Sequence, residues 1–173
     1  MTALGDIQLR DPFFLRGDDA FYLSGSTDLD IWRDHAVGFD VYRANSDDLD
    51  SFDGPFPAFR PPAGFWSRRE FWAPEIYRRD GRWLMFATFL PLAGRRGTAV
   101  LAAERPLGPF VPFSDGPVTP PGWECLDGTL FVEDAGTPWM VFCHEWRQVG
   151  DGEICAIQLS PDCRRAVGEP VVL

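Results

Sequence analysis

The sequence has no lysine; its sixteen basic residues are all arginine. That absence excludes Schiff-base chemistry, a pyridoxal anchor and a P-loop, each of which needs a lysine amine. There are only two histidines, His35 and His144, too few for a His-rich metal site, so no metal and no cofactor is assigned. Cys125, Cys143, Cys155 and Cys163 stand without CxxC spacing and read as buried or half-buried thiols in a reducing compartment; a Cys143 to Cys155 bridge across a hairpin is the alternative. No apolar run approaches the ~20 residues of a membrane span, and no convincing helical period lasts more than a few residues. Met1 leads into TALGDIQLRDP with no basic n-region, apolar h-region or cleavage site, so the expectation is a soluble, cytoplasmic protein.

Positive charge is scarce as well. Sixteen basic residues against 26 acidic ones leave a formal charge of -10. A nucleic-acid backbone or an anionic membrane surface would be repelled, whereas a neutral ligand such as a sugar meets no such penalty.

What is present is apolar and turn-rich. Hydrophobic residues make up 45%, aromatics 14%, with 17 glycines and 16 prolines, which suits many short strands joined by tight turns. A chain of 173 residues is enough for one well-packed domain. Three segments align: DPFFLRGDDAFYLSGS from Asp11, APEIYRRDGRWLMFATF from Ala73 and DGTLFVEDAGTPWMVFCH from Asp127. Each is strand, acidic or Gly-containing turn, strand, and each is followed by a third strand and a Pro/Gly corner. Four short antiparallel strands recurring at about sixty residues predict an all-β fold, a β-propeller of four-stranded blades near 7–60, 66–118 and 122–173. A non-repetitive β-sandwich is the rival. Propellers close with about four to eight blades, so three form an incomplete ring. The outer faces of the first and third blades are then expected to be exposed, or covered by another copy or a companion chain, and the chain to be a truncated piece of a longer parent.

In a propeller the first strand of each blade lines the central channel, so the residue opening that strand faces an axial pocket. Asp11 and Asp127 occupy equivalent positions, with Ala73 between them. Paired carboxylates in a cleft with aromatics are what glycoside hydrolysis needs, one acting as base or nucleophile and one as acid. Plain turn residues are the alternative at both positions. Glu75 is either a polar substrate contact or the partner of an arginine. Trp72 and Trp123 precede the inner strands of the second and third blades and either stack on a sugar or pack between blades. His144 either reaches the pocket or is a satisfied structural histidine.

The stretches RDPFFL, FWAPEIYRRDGRWLMFATF and WECLDGTLFVEDAGTPWMVFCHEW resemble the opening blades of glycoside hydrolase family 43, five-bladed propellers acting mostly on arabinose- and xylose-containing glycans. The resemblance implies an inverting mechanism in which Asp11 is the general base and Asp127 tunes and orients the acid. In that family the acid comes from a fourth blade, so the expectation is a truncated arabinofuranosidase- or xylosidase-like glycosidase without its proton donor. A non-catalytic carbohydrate-binding or interaction fragment is the alternative. Glu124, in WEC, also resembles the acid of invertase-type retaining furanosidases, although there is no room upstream of RDP for their nucleophile motif.

Overall fold

The computed structural model describes residues 1–30, 32, 36–44 and 49–173, and is built almost wholly from strands. His35 lies outside the described residues. Three antiparallel sheets follow one another along the chain as β-propeller blades. The first contains β2 (Arg10–Arg16), β3 (Phe21–Ser26), β4 (Phe39–Ala44) and β5 (Ser51–Phe59), with the two-residue β1 (Thr2–Ala3) added beyond β5. The expected four-stranded blade is therefore five-stranded here, because Thr2 and Ala3 pair with Phe52 and Ser51. The second blade is β6 (Ser67–Arg79), β7 (Arg82–Pro91), β8 (Gly97–Ala103) and β9 (Val111–Pro117). The third is β10 (Cys125–Val132), β11 (Pro138–His144), β12 (Glu153–Gln158) and β13 (Val171–Val172). No helix among the described residues is long and apolar enough to cross a membrane.

Local chemistry sets the hairpins. Asp80 and Gly81 join β6 to β7 with φ of 49° and 79°, the two positive φ angles of the two-residue turn whose twist matches its strands. Along β7 the period of two then sorts side chains between neighbours. Trp83, Met85, Ala87 and Phe89 pack with Tyr22, Phe39, Val41 and Phe59 of the first blade, while Leu84 and Phe86 pack with Met140 and Phe142 of the third. The first of these cores is a phenylalanine cluster, in which Phe39, Phe59, Phe65, Phe71 and Phe89 meet mostly edge-on or tilted.

The outer faces differ from the expectation in one respect. On the first blade Leu23, Tyr42, Ala44 and Phe52 are buried under the chain's own Ile7, Leu9, Phe21 and Leu49. On the third, Phe131, Ile154 and Val171 are exposed. All four cysteines are free thiols. The bridge considered for Cys143 and Cys155 does not form: Cys143 pairs across the hairpin with Ile154 and Cys155 with Phe142, one register step apart, so the two side chains point to opposite faces.

Candidate active site

Each blade opens with the same backbone device. Asp11, Ala73 and Asp127 are non-glycine residues in the left-handed region, with φ of 50°, 44° and 54°. At each of them strand pairing slips, between Arg10 and Phe13, Trp72 and Glu75, and Leu126 and Thr129. These are bulges inside the innermost strands, which re-aim a side chain and cost conformational energy that ordinary strands avoid. Asp11 and Asp127 are thus not turn residues: the same strained position is kept in three blades, and in two of them it carries a carboxylate.

Hydroxyls on the second and third strands of a blade hold the bulge of the next. Ser26 Oγ accepts the Ala73 N–H at 2.9 Å and donates to Asp11 Oδ2 at 2.8 Å. Thr88 Oγ1, at the register position of Ser26, accepts the Asp127 N–H at 3.0 Å, and Thr98 Oγ1 accepts the Gly128 N–H at 3.1 Å. Glycine is required at 128 because a Cβ there would lie 2.6 Å from Thr98 Oγ1 and 2.8 Å from Met140 Sδ. The Asp-Gly pair is therefore dictated by how closely the second blade approaches the third.

The carboxylates converge electrostatically. Asp127 is reachable by solvent, yet enough protein surrounds it that desolvation, reinforced by the charges of Asp11 and Glu75, pushes its carboxyl up to about 6, with Arg96 opposing. Glu75 has no arginine partner among the hydrogen bonds and ion pairs of the described residues. Its Oε2 accepts the Tyr77 hydroxyl and, at 2.6 Å, the Thr129 hydroxyl, tying β6 to β10 two residues beyond Asp127. Burial and the neighbouring Glu75 push the Tyr77 hydroxyl well above its ordinary range, so it remains a donor.

The aromatics are arranged around a buried cation. Arg96, 6% exposed, donates Nε to Glu70 at 2.7 Å and Nη1 to Glu145 at 3.0 Å, and its guanidinium lies 4.6 Å from the centre of the Trp72 ring. Trp72 itself is buried and meets Trp32 edge-on at 5.2 Å; Trp32 is 65% exposed. Trp123 stacks on His144, with centroids 4.1 Å apart and planes at 13°. His144 Nε2 faces Gln148 Oε1 at 2.9 Å and Nδ1 faces Glu153 Oε2 at 3.1 Å. Glu124 is held by Arg95 Nη1 at 3.1 Å and the Arg96 N–H at 3.3 Å. The structure thus brings Asp11, Glu75 and Asp127 into one electrostatic group, places Trp72 beside it through Arg96, and sets Trp123 and His144 against each other.

Arg96, Tyr77, Thr129 and Trp32 carry this arrangement and were not singled out from the sequence. Trp32 had a signal, a tryptophan in the polar stretch STDLDIW. Arg96 had none, because one arginine among sixteen reveals its burial only when strands distant in the chain close over it.

The sequence profile of glycosyl hydrolases family 43 matches residues 5–173. A xylosidase/arabinosidase 43A from Humicola insolens is 28% identical over 81 residues, which are 47% of this chain and 24% of that protein. Among solved structures, an endo-arabinase from Bacteroides thetaiotaomicron VPI-5482 superposes with a TM-score of 0.89 at 35% identity, over 99% of this chain and 58% of that one. An exo-beta-1,3-galactanase from Phanerochaete chrysosporium shares the fold, with a TM-score of 0.74 at 18% identity over 99% of this chain and 40% of the galactanase. The matched region spans less than two thirds of each of these proteins.

Proposed function

The chain belongs to glycosyl hydrolases family 43, and on that premise we propose that it supplies the general-base side of an inverting glycosidase site acting on arabinosyl or xylosyl linkages of plant-type glycans. The observation that carries this reading is the pair of aspartates at equivalent strained bulges of the first and third blades, close enough that the charge of Asp11 raises Asp127. In the reaction, the Asp11 carboxylate takes a proton from water as the water oxygen attacks the anomeric carbon. The glycosidic C–O bond breaks on the opposite face, and the departing oxygen takes a proton from a carboxylic acid. Asp127 orients that acid and tunes it, the donor being contributed by a further blade or a companion chain. The choice of arabinose and xylose rests on the names of the arabinase and the xylosidase/arabinosidase to which the chain is similar.

A second reading is favoured by one observation: a carboxyl pushed up to about 6 is itself suited to donate a proton near neutrality. Both readings put the loss in Asp127→Asn mainly on glycosides with poor leaving groups, so the pH profile of methyl arabinofuranoside hydrolysis separates them: an alkaline limb near 6 that vanishes in Asp127→Asn assigns the proton to Asp127, and a limb that persists, displaced, assigns it the orienting role. The test of the site as a whole is hydrolysis of nitrophenyl arabinofuranoside and xyloside beside Asp11→Asn. Turnover that the substitution abolishes supports the reading, and turnover that survives it overturns the role of Asp11. A folded chain that binds arabino-oligosaccharides in calorimetry and turns none over even when the blades that carry the donor are supplied is instead a carbohydrate-binding propeller.

A further inference from the structure

The third blade carries a cluster that the axial site does not use. Strand pairing sets His144 of β11 opposite Glu153 of β12, and Cys155 follows on the same face two residues later. A His144 ring nitrogen, a Glu153 carboxylate oxygen and Cys155 Sγ all lie within 4.8 Å of one another, and Nδ1 is the nitrogen that faces Glu153.

The tautomer of His144 is fixed by its surroundings. Gln148 Oε1 accepts the Glu124 N–H at 2.7 Å while Gln148 Nε2 donates to the Gly122 carbonyl at 2.9 Å, so the amide has one orientation. Oε1 is then an acceptor toward His144 Nε2 at 2.9 Å, and Nε2 carries the hydrogen. In a neutral imidazole Nδ1 is left with its lone pair, directed at a Glu153 carboxylate oxygen 3.1 Å away. Two acceptors at that distance repel unless a proton or a cation lies between them. The ring cannot turn away, because it is stacked on Trp123 and pinned by Gln148, an outer-shell arrangement of the kind that orients metal-bound histidines.

A shared proton engages only the nitrogen and the oxygen and leaves Cys155 as a core thiol packed with Phe142 and Ile157, whereas a borderline-soft divalent cation uses all three groups. In a zinc tetrahedron with bonds of about 2.0–2.3 Å the ligand atoms stand about 3.3–3.6 Å apart. The nitrogen to oxygen separation of 3.1 Å is close to that value, and the sulfur has about 1 Å to close. The Glu153 side chain, 38% exposed, opens the cluster to solvent and leaves a fourth position for water.

We propose that His144 Nδ1, Glu153 and Cys155 Sγ form a binding site for a zinc-type divalent cation on the third blade, separate from the axial carboxylates. It does not depend on the hydrolytic reading: Asp11 and Asp127 contribute no ligand to it.

The experiment uses the full chain, reduced and shown to be folded by circular dichroism, titrated with zinc against a chromophoric chelator and separately with cobalt(II). One equivalent of zinc is expected to bind, at least ~10-fold more weakly in Glu153→Gln. Cobalt is expected to give a thiolate-to-metal charge-transfer band that Cys155→Ser removes. The proposal is overturned if the folded wild-type chain takes up no zinc, or if both variants bind as it does. Uptake of cobalt without the charge-transfer band also overturns it, by removing Cys155 from the site. In the absence of uptake, nitrogen NMR of His144 showing a proton on both ring nitrogens identifies an imidazolium–carboxylate pair as what fills the gap.

Discussion

The openings of the first and third blades share a backbone and differ in almost everything else. Asp11 and Asp127 sit at the same bulge with nearly the same φ, but Asp11 is followed by a proline and its carboxylate is steadied by the Ser26 hydroxyl, whereas Asp127 is followed by a glycine pressed against Thr98 and Met140. The first opening is a solvated carboxylate with a hydrogen-bond donor. The second, although it meets solvent, is largely surrounded by protein beside two other acids, and partial desolvation with like charge raises its affinity for a proton. One scaffold repeated three times thus yields two chemically distinct acids and, at Ala73, a position with none. Division of labour within the site comes from the neighbours rather than from the repeat.

The largest expected effect breaks the comparison on the side of Asp11: Asp11→Asn should lower kcat/KM by ~10²- to 10⁴-fold while leaving the denaturation midpoint nearly unchanged. Next comes packing behind the third opening. Gly128→Ala should cost about 1–3 kcal/mol in urea denaturation, since its Cβ has no room. Pro12→Ala, at the equivalent position of the first blade, should stay within about 1 kcal/mol. Thr88→Val leaves the Asp127 N–H without its acceptor and is expected to cost about 1 kcal/mol, with a displaced Asp127 titration as the accompanying sign.

The smallest effect sharpens the comparison through pH. The Asp127 carboxyl titrates near 6 in the folded chain against an ordinary value of 3.8, so the native state binds this proton more tightly than the unfolded one. Its contribution to stability is fully present below about pH 4, is lost as pH rises through about 6, and is level above. Asp127→Asn should flatten that limb in denaturation curves taken across the window. Asp11→Asn, by removing a like charge, should lower the Asp127 midpoint followed by carboxyl carbon NMR; an unmoved midpoint would mean that the two aspartates do not sense each other.

Much of the architecture was legible because it is local. The period of two in WLMFATF, the Asp-Gly pair at 80 and 81, and the recurrence of strand, turn, strand from Asp11, Ala73 and Asp127 predict hairpins without reference to anything distant. The extra strand β1 was not legible: two residues carry no periodicity, and Thr2 and Ala3 become a strand only because β5 presents an edge to them. The same holds within the site. Asp11 and Asp127 stand out by repetition, but the partners of Glu75 were open between substrate and arginine, and its hydrogen bonds run to Tyr77 on its own strand and to Thr129 across a blade boundary.

By itself the sequence determined the kind of fold, the family and the equivalence of the two aspartates, since each is written in spacing and motif over short stretches of chain. Only the tertiary structure decided that Arg96 is buried beneath Trp72 between Glu70 and Glu145, that protein and like charge crowd the Asp127 carboxyl, and that His144 Nδ1 faces a Glu153 carboxylate. The physical reason is common to all three. Desolvation, charge and hydrogen-bond direction depend on which groups from other blades close around a side chain, and that is settled only when the sheets pack.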